Sequence, residues 1–234
     1  MNKNEFKFNV NERFEFAENF ADLVILNIAK SLVLVGEGGL GKSYLVKNRL
    51  KENGKDPSDF KFIKGYCTPR GLYNLLYDNN GKVIIFDDCD SVLKDKTSEN
   101  TLKSALDSYD ERIISWAAKM PKGSEYPPEF EFTGRIIFIS NLNKKKVPQP
   151  LITRSYVVDL SMTTDEKIIR IGSIYEEICK KTNIPLEKGR KAFNFLREYK
   201  HNVKDLSIRS FLDIVKLVDH SKNWERIAKY CISQ

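Results

Sequence analysis

The first 160 residues alternate short apolar runs with longer amphipathic segments. Ser31–Val35 is a continuous apolar run, which is typical of a strand buried on both faces. Strands alternating with helical patterns predict a mostly parallel sheet covered by helices on both sides. The other predicted strands are residues 60–65, 82–87, 135–140 and 156–160, and the predicted helices are residues 11–30, 42–51, 70–77 and 97–109.

After residue 160 the strand-like runs stop and four helical patterns follow. We therefore predict two domains, an α/β domain at residues 1–160 and a small helical domain at residues 161–234. The predicted helices are residues 164–181, 186–199, 205–218 and 221–232, with starts at Thr164, Ser207 and Ser221. An irregular insert at residues 116–133 contains several prolines, which predicts a loop or hairpin tip on the α/β domain.

The amino-acid composition limits the kinds of protein that this sequence can encode, but it does not identify a function. Hydrophobic residues make up 41% and charged residues 30% of the 234 residues, a balance typical of soluble globular proteins. No stretch approaches the roughly 20 apolar residues needed to cross a bilayer, and the first 18 residues lack the apolar core of a signal peptide. We expect a cytoplasmic protein with no membrane partner. Its four scattered cysteines lack metal-ligand spacing and are expected to be reduced thiols.

The net charge of +7 is concentrated toward the C-terminus. Residues 161–234 contain 15 Lys and Arg against 10 Asp and Glu. This surplus is compatible with binding nucleic acid, although many proteins with no such partner have one.

The strongest motif follows the first predicted strand and has the form G-x-x-x-x-G-K-S. Its glycines allow consecutive backbone amides to converge on phosphate oxygens, and the following helix adds its positive N-terminal end. In this arrangement Lys42 reaches the β- and γ-phosphates of a nucleotide and Ser43 binds Mg²⁺. The alternative is a glycine-rich turn formed by chance. The predicted binding residues are Gly36, Glu37, Gly38, Gly39, Leu40, Gly41, Lys42, Ser43 and the adjoining Tyr44.

The second motif is an apolar strand that ends in two carboxylates, Asp87 and Asp88. At a strand end beside the phosphate loop, Asp87 is placed to order the Mg²⁺ shell and Asp88 to orient an attacking water. Asp90 either shares that task or caps the next turn. The alternative interpretation is a solvated acidic turn.

In the order of these motifs the chain resembles an AAA+ ATPase over nearly its whole length. The resemblance implies a three-layer α/β fold with a parallel sheet and a C-terminal four-helix lid. It also implies Mg-ATP as the ligand and a homo-oligomer, with six subunits favoured. The family carries Glu where this sequence has Asp88, one methylene shorter, which puts the hydrolysis rate in doubt more than ATP binding.

Three further residues match family positions. Asn141 follows the strand at residues 135–140 and resembles sensor 1, a polar residue that lies between the γ-phosphate and the catalytic carboxylate in the family. The alternative is that Asn141 simply starts a turn. Arg154 matches an arginine finger that completes a neighbouring subunit's site, the alternative being a surface arginine or one paired with Asp159. Arg209 resembles sensor 2, which touches the γ-phosphate, and otherwise is an exposed helix residue.

The physical substrate is less defined by the sequence. Tyr66 or Arg70 either faces a central pore or belongs to a plain strand–helix connection, and Lys144–Lys146 either contacts phosphates or is a solvated loop. The compact layout resembles phage-encoded and replication-associated AAA+ proteins. If the protein is encoded by a phage, the expected location is the cytoplasm of the host cell. We expect a motor or loader acting on nucleic acid. The alternatives are a remodeller of a protein partner and a slow ATP-gated switch.

Overall fold

The computed structural model describes residues 6–109, 111–117 and 124–233. They group into two compact units. The first, called here the α/β unit, contains Arg13–Gly36 and Lys42–Leu160. The second, the helical unit, contains the described residues up to Glu12, the loop segment Glu37–Gly41 and the described residues from Ser161 onward. The predicted division into two domains at residue 160 stays a prediction.

A five-stranded parallel sheet organises the α/β unit. Its strands are β1 (Ser31–Val35), β2 (Phe60–Lys64), β3 (Val83–Asp87), β6 (Arg135–Ser140) and β7 (Tyr156–Asp159). They lie in the order β2-β3-β6-β1-β7, and every neighbouring pair is parallel. All residues of β1 and β3 are buried, as their continuous apolar sequences predict, whereas β2 at the edge is only partly covered. The predicted three-layer α/β class is confirmed.

Helices cover the sheet. They are α1 (Val10–Ile25), α2 (Lys42–Glu52), α3 (Pro69–Asp78), α4 (Ser91–Lys94), α5 (Lys96–Ala105) and α6 (Gln149–Ile152), with a 3₁₀ turn at Lys144–Lys146. The sequence did not predict α4, α6 or the 3₁₀ turn, because elements this short carry too little periodicity. Helix α1 ends five residues before the predicted residue 30, since Asn27 adopts a left-handed conformation with a φ of 63° that stops the helix.

The predicted insert at residues 116–133 belongs in part to a β-hairpin. Strand β4 (Ile113–Ser115) pairs antiparallel with β5 (Glu129–Glu131), so β5 lies inside the insert. Phe130 on β5 packs edge-to-face on the buried Tyr73 of α3, and the Tyr73 hydroxyl donates to the Pro127 carbonyl at 2.7 Å. The hairpin is therefore anchored to α3 at its base. The centre of the insert, residues 118–123, lies outside the described residues.

Four helices form most of the helical unit. They are α7 (Thr164–Lys181), α8 (Leu186–Glu198), α9 (Ile208–His220) and α10 (Trp224–Ile232), packed around buried side chains that include Ile171, Leu196 and Phe211. Capping boxes set the first residues of α7 and α9, with Thr163 and Ser207 as the N-caps. The predicted helix start at Ser221 is wrong: Ser221 caps the C-terminus of α9, and α10 begins three residues later.

One buried arginine joins the end of α5 to the segment that precedes β6. Arg112 is 4% exposed and donates to the carbonyls of Ala105 at 2.8 Å and Gly134 at 3.0 Å. Its guanidinium also lies 5.2 Å from the centre of the Phe132 ring. Burial lowers the pKa of Arg112 to about 10, which leaves it charged at neutral pH. The charge is compensated by backbone carbonyls and an aromatic face.

We expect Arg112→Ala to lower the free energy of unfolding by about 2–4 kcal/mol, because two charge-assisted hydrogen bonds and one ring contact are lost together. Denaturant unfolding followed by circular dichroism measures the change. Arg226→Ala, which makes the same truncation on the exposed surface of α10, is the matched control. Equal losses in the two variants would contradict a structural role for Arg112.

Candidate functional site

The predicted phosphate loop joins the end of β1 to the start of α2. Gly36 and Lys42, which flank the loop segment Glu37–Gly41, are buried. Within the segment Leu40 is buried, Glu37 and Gly38 are exposed, and Gly39 and Gly41 are half-buried. Helix α2 begins at Lys42, as predicted, so its first free amides lie at the loop. Tyr44, predicted as a binding residue, is 57% exposed.

The ammonium of Lys42 is held inside the α/β unit, at 4% exposure. It donates to the Gly36 carbonyl at 2.6 Å and to Asn141 Oδ1 at 3.0 Å. Both of these acceptors are neutral oxygen atoms, and they hold the ammonium in one position at the carboxyl end of β1.

Asn141 connects this lysine to Asp88. While its amide oxygen accepts from Lys42, its Nδ2 donates to Asp88 Oδ1 at 2.7 Å. The Asp88 backbone is left-handed, with a φ of 56°, and its N–H donates to the Ile139 carbonyl at 3.0 Å. Three residues predicted from separate motifs thus form one hydrogen-bonded chain, Lys42–Asn141–Asp88. The sensor role of Asn141 stays a prediction.

The two predicted metal ligands touch each other. The Ser43 hydroxyl donates to Asp87 Oδ1 at 2.6 Å, and the Asp87 side chain is 1% exposed. Hydroxyl and carboxylate oxygens are the hard ligands that Mg²⁺ prefers, so this donor set fits that ion. Among the described residues no group of three or more His, Cys, Asp or Glu side chains has metal-binding geometry. A cation here would complete its shell with nucleotide phosphate oxygens or water.

Sequence reasoning assigned no role to Lys64, which the structure brings to this carboxylate. Its Nζ forms an ion pair with Asp87 Oδ2 at 2.8 Å, and this contact with the carboxylate raises the pKa of Lys64. Lys64 and Asp87 end adjacent parallel strands and are register partners. In the sequence, Lys64 is only a lysine near the end of a predicted strand. Its contact with Asp87 could be predicted only if the neighbouring strand were known.

Asp90 stands at the N-cap position of α4, but its side chain makes no cap bond there. Its carboxylate instead accepts from the Ser140 hydroxyl at 2.6 Å, which joins the segments that follow β3 to the end of β6. The role shared with Asp88 stays a prediction.

Within the helical unit, the loop segment Glu37–Gly41 packs against the first turn of α9. The Ile208 N–H donates to the Gly39 carbonyl at 3.1 Å. Gly39 has a φ of +75°, and a Cβ added there would lie 2.9 Å from the Cβ of Ser207, so glycine is required. The exposed Arg209 starts beside the segment, its Cβ 3.7 Å from that added atom. Its predicted contact with a γ-phosphate stays a prediction.

Arg154 lies at the opposite edge of the parallel sheet from the Lys42–Asn141–Asp88 chain. It precedes β7 and lines a surface cavity of about 610 Å³ with Lys30, Ser31 and Ser155, at the amino ends of β1 and β7. Lys42 follows the carboxyl end of β1, a five-residue strand about 16 Å long. Arg154 is exposed and donates to the Pro150 carbonyl at 3.3 Å. Within the chain it is therefore separated from the lysine by about the length of β1.

The residues predicted to contact a substrate follow the carboxyl ends of two strands of the sheet, β2 and β6. Tyr66, after β2, is 80% exposed, and Arg70 is half-buried at the start of α3. All three residues of Lys144–Lys146, after β6, are exposed. Their pore and phosphate-binding roles stay predictions. In the part of the chain that the structure describes, every helix is too short or too polar to span a membrane.

Comparison with known proteins relates the chain first to a phage protein. It is 30% identical over 245 residues to the uncharacterized 36.7 kDa protein of the nrdC-mobD intergenic region in Enterobacteria phage T4. The alignment covers 96% of this chain and 74% of the phage T4 protein. No family model matches the sequence.

Solved structures with similar folds are AAA+ proteins. A mutant of Thermotoga maritima RuvB has a TM-score of 0.58 at 14% identity, over 95% of this chain and 68% of its own. NtrX from Brucella abortus, in complex with ATP, has a TM-score of 0.55 at 14% identity, over 94% of this chain and 53% of its own. The replication initiator DnaA, bound to AMPPCP and single-stranded DNA, has a TM-score of 0.51 at 13% identity, over 94% and 63%. The chain therefore belongs to the family of the phage T4 36.7 kDa protein, and its fold is that of the AAA+ P-loop ATPases.

Proposed function

We propose that this protein binds and hydrolyses Mg-ATP at subunit interfaces and uses the energy for conformational work, most directly on nucleic acid. The observation that carries the proposal is the hydrogen-bonded chain Lys42–Asn141–Asp88 beside the pair Ser43 and Asp87. These five residues were predicted for this chemistry from three separate motifs, and the tertiary structure brings the three motifs together.

Binding depends on the phosphate loop and Lys42. Backbone amides at the start of α2 and the ammonium of Lys42 supply positive charge to the phosphates. Because Lys42 is already desolvated, it loses little hydration on meeting the ligand. Ser43 and Asp87 hold the metal, which would neutralise charge on the phosphate oxygens when bound.

Hydrolysis depends on Asp88 and Asn141. A carboxylate at the position of Asp88 orients a water for in-line attack. The Asn141 side chain holds this carboxylate through its Nδ2, while its Oδ1 accepts a hydrogen bond from Lys42. Since phosphoryl transfer needs mainly positioning and charge compensation, these residues supply what the reaction requires. The shorter side chain of Asp88 favours slow turnover, as in an ATP-gated switch.

Arg154 supports the oligomeric part of the proposal. An exposed guanidinium at the amino edge of the sheet is too far from the lysine of its own protomer to contact the same phosphates. It is available to a neighbouring protomer, where it stabilises charge on the transferred phosphoryl group. A closed ring repeats one such heterologous contact, and six subunits are the favoured number.

Nucleic acid is the favoured substrate. The net charge of +7, the exposed Lys144–Lys146 turn and the exposed Tyr66 suit a phosphate backbone and its bases. RuvB is a Holliday junction branch migration motor, and the DnaA structure holds single-stranded DNA, so both relatives by fold act on DNA. Remodelling of a protein partner is the alternative.

We expect Asp88→Asn to lower kcat for ATP by at least about 100-fold and to change the Kd for ATP by less than about twofold, because the amide keeps the shape and loses the proton acceptor. Steady-state hydrolysis and equilibrium titration measure the two quantities. Asp90→Asn, two residues away and joined to Ser140, is the control and should stay within about threefold of the wild type. A large loss in both variants, or in neither, would count against Asp88.

We expect Arg154→Ala to abolish hydrolysis while ATP binding persists, because the lost arginine acts on the neighbour's nucleotide. Lys42→Ala should also be inactive, through loss of binding. Mixing the two inactive variants should restore part of the activity, since mixed assemblies contain sites with an intact Lys42 from one protomer and an intact Arg154 from the next. An Arg154→Ala enzyme with full activity, or mixtures that remain inactive, would exclude a shared site.

Hydrolysis measured across protein concentration, with and without single- and double-stranded DNA, tests the substrate. We expect specific activity to rise with concentration and DNA to raise it further. Activity that depends on concentration and ignores DNA would favour a protein substrate. Negligible turnover under all conditions, with intact ATP binding, would favour the gated switch.

A further inference from the structure

A lysine ammonium occupies one side of the carboxylate predicted to bind metal. Lys64 Nζ lies 2.8 Å from Asp87 Oδ2, and Ser43 donates to the other oxygen, Oδ1. The contact is built into the fold, because Lys64 and Asp87 are the last residues of adjacent parallel strands and stand opposite each other in register. The distance between their backbones is therefore fixed by the sheet.

The two partners differ sharply in solvent exposure. The Asp87 side chain is 1% exposed, whereas that of Lys64 is 62% exposed. A buried carboxylate without a counter-charge is costly, so Asp87 requires a cation at all times. Lys64 has no matching requirement, because its ammonium returns to water when it leaves. The pair is thus stable yet easily exchanged for another cation.

We propose that Lys64 is the resident counter-cation of Asp87 and that Mg²⁺ and Lys64 compete for this carboxylate. The inference rests on the proposed function, because it assumes that Asp87 holds the metal of Mg-ATP. A divalent ion bound to Asp87 and Ser43 repels an ammonium within a few ångströms. Metal binding therefore releases Lys64, and metal loss returns it.

Lys64 leads directly into an exposed turn. Gly65, with a φ of +86°, and the 80% exposed Tyr66 follow it. The turn is held at one end by the backbone pairing of Lys64 with β3 and at the other by the Cys67 N–H, which donates to the Ser91 hydroxyl at 3.0 Å. Release from Asp87 leaves both anchors in place, so metal occupancy changes the position of the Lys64 ammonium beside Tyr66 and not the path of the backbone.

The competition predicts opposite effects on two binding equilibria. In Lys64→Met the competitor is gone, so adding Mg²⁺ should tighten ATP binding by a factor about 5–20 times larger than in the wild type. In excess EDTA the variant should bind ATP more weakly than the wild type, because a positive charge near the phosphates has been lost. Titration calorimetry or a fluorescent ATP analogue measures both affinities without hydrolysis. A purely structural role would weaken both equilibria together.

Lys61→Met is the matched control, because it removes the same charge from an exposed position of β2. It should leave the response to Mg²⁺ unchanged. Lys64→Arg, which keeps a cation, should retain the wild-type pattern and guards against loss of folding in Lys64→Met.

The outcomes separate the inference from the function on which it rests. If the wild type fails to bind ATP under both conditions, the proposed function is wrong. If the wild type binds Mg-ATP and Lys64→Met shows the same response to Mg²⁺, only the competition is wrong. An equal change in Lys61→Met and Lys64→Met would overturn it as well, since the effect would then be one of general charge.

Discussion

The order of three neighbouring parallel strands is the constraint on which the candidate site depends. Strands β3, β6 and β1 lie side by side, and the chain just beyond the carboxyl end of each strand contributes one side chain to the site. Asp88 follows β3, Asn141 follows β6, and the loop to Lys42 follows β1, so the strand order is also the order of the hydrogen-bonded chain. Because the backbone hydrogen bonds of the sheet fix the spacing of the strands, the side chains are positioned before any ligand arrives.

Burial of charge is tolerated at this edge because each charged group has a defined partner. Lys42 and Asp87 are both nearly inaccessible, and an unpaired ion in such a place would cost several kcal/mol. Lys42 is compensated by carbonyl and amide oxygens, Asp87 by a hydroxyl and the ammonium of Lys64. The same low polarity that makes burial costly strengthens each contact with a charged ligand.

Much of the fold was predictable from sequence, since five buried or half-buried strands and the longer helices carry clear apolar patterns. The α/β class is confirmed, and local motifs identified the residues of the Lys42–Asn141–Asp88 chain. Two contacts that the sequence did not indicate have a common cause. The contact of Lys64 with Asp87 and the bond of Asp90 to Ser140 depend on which strands become neighbours, and sequence periodicity does not carry that information. The early end of α1 and late start of α10 are boundary effects of local capping.

The left-handed backbone of Asp88 gives its departure from the family pattern a stereochemical meaning. At a φ of 56°, residues with short polar side chains are accommodated several-fold more readily than longer ones. Aspartate and this backbone geometry are therefore suited to each other, and glutamate at the same position would introduce torsional strain or force the turn after β3 to rearrange. The conformation of the turn after β3 thus accounts for the shorter acid at this position, even though its carboxylate reaches less far.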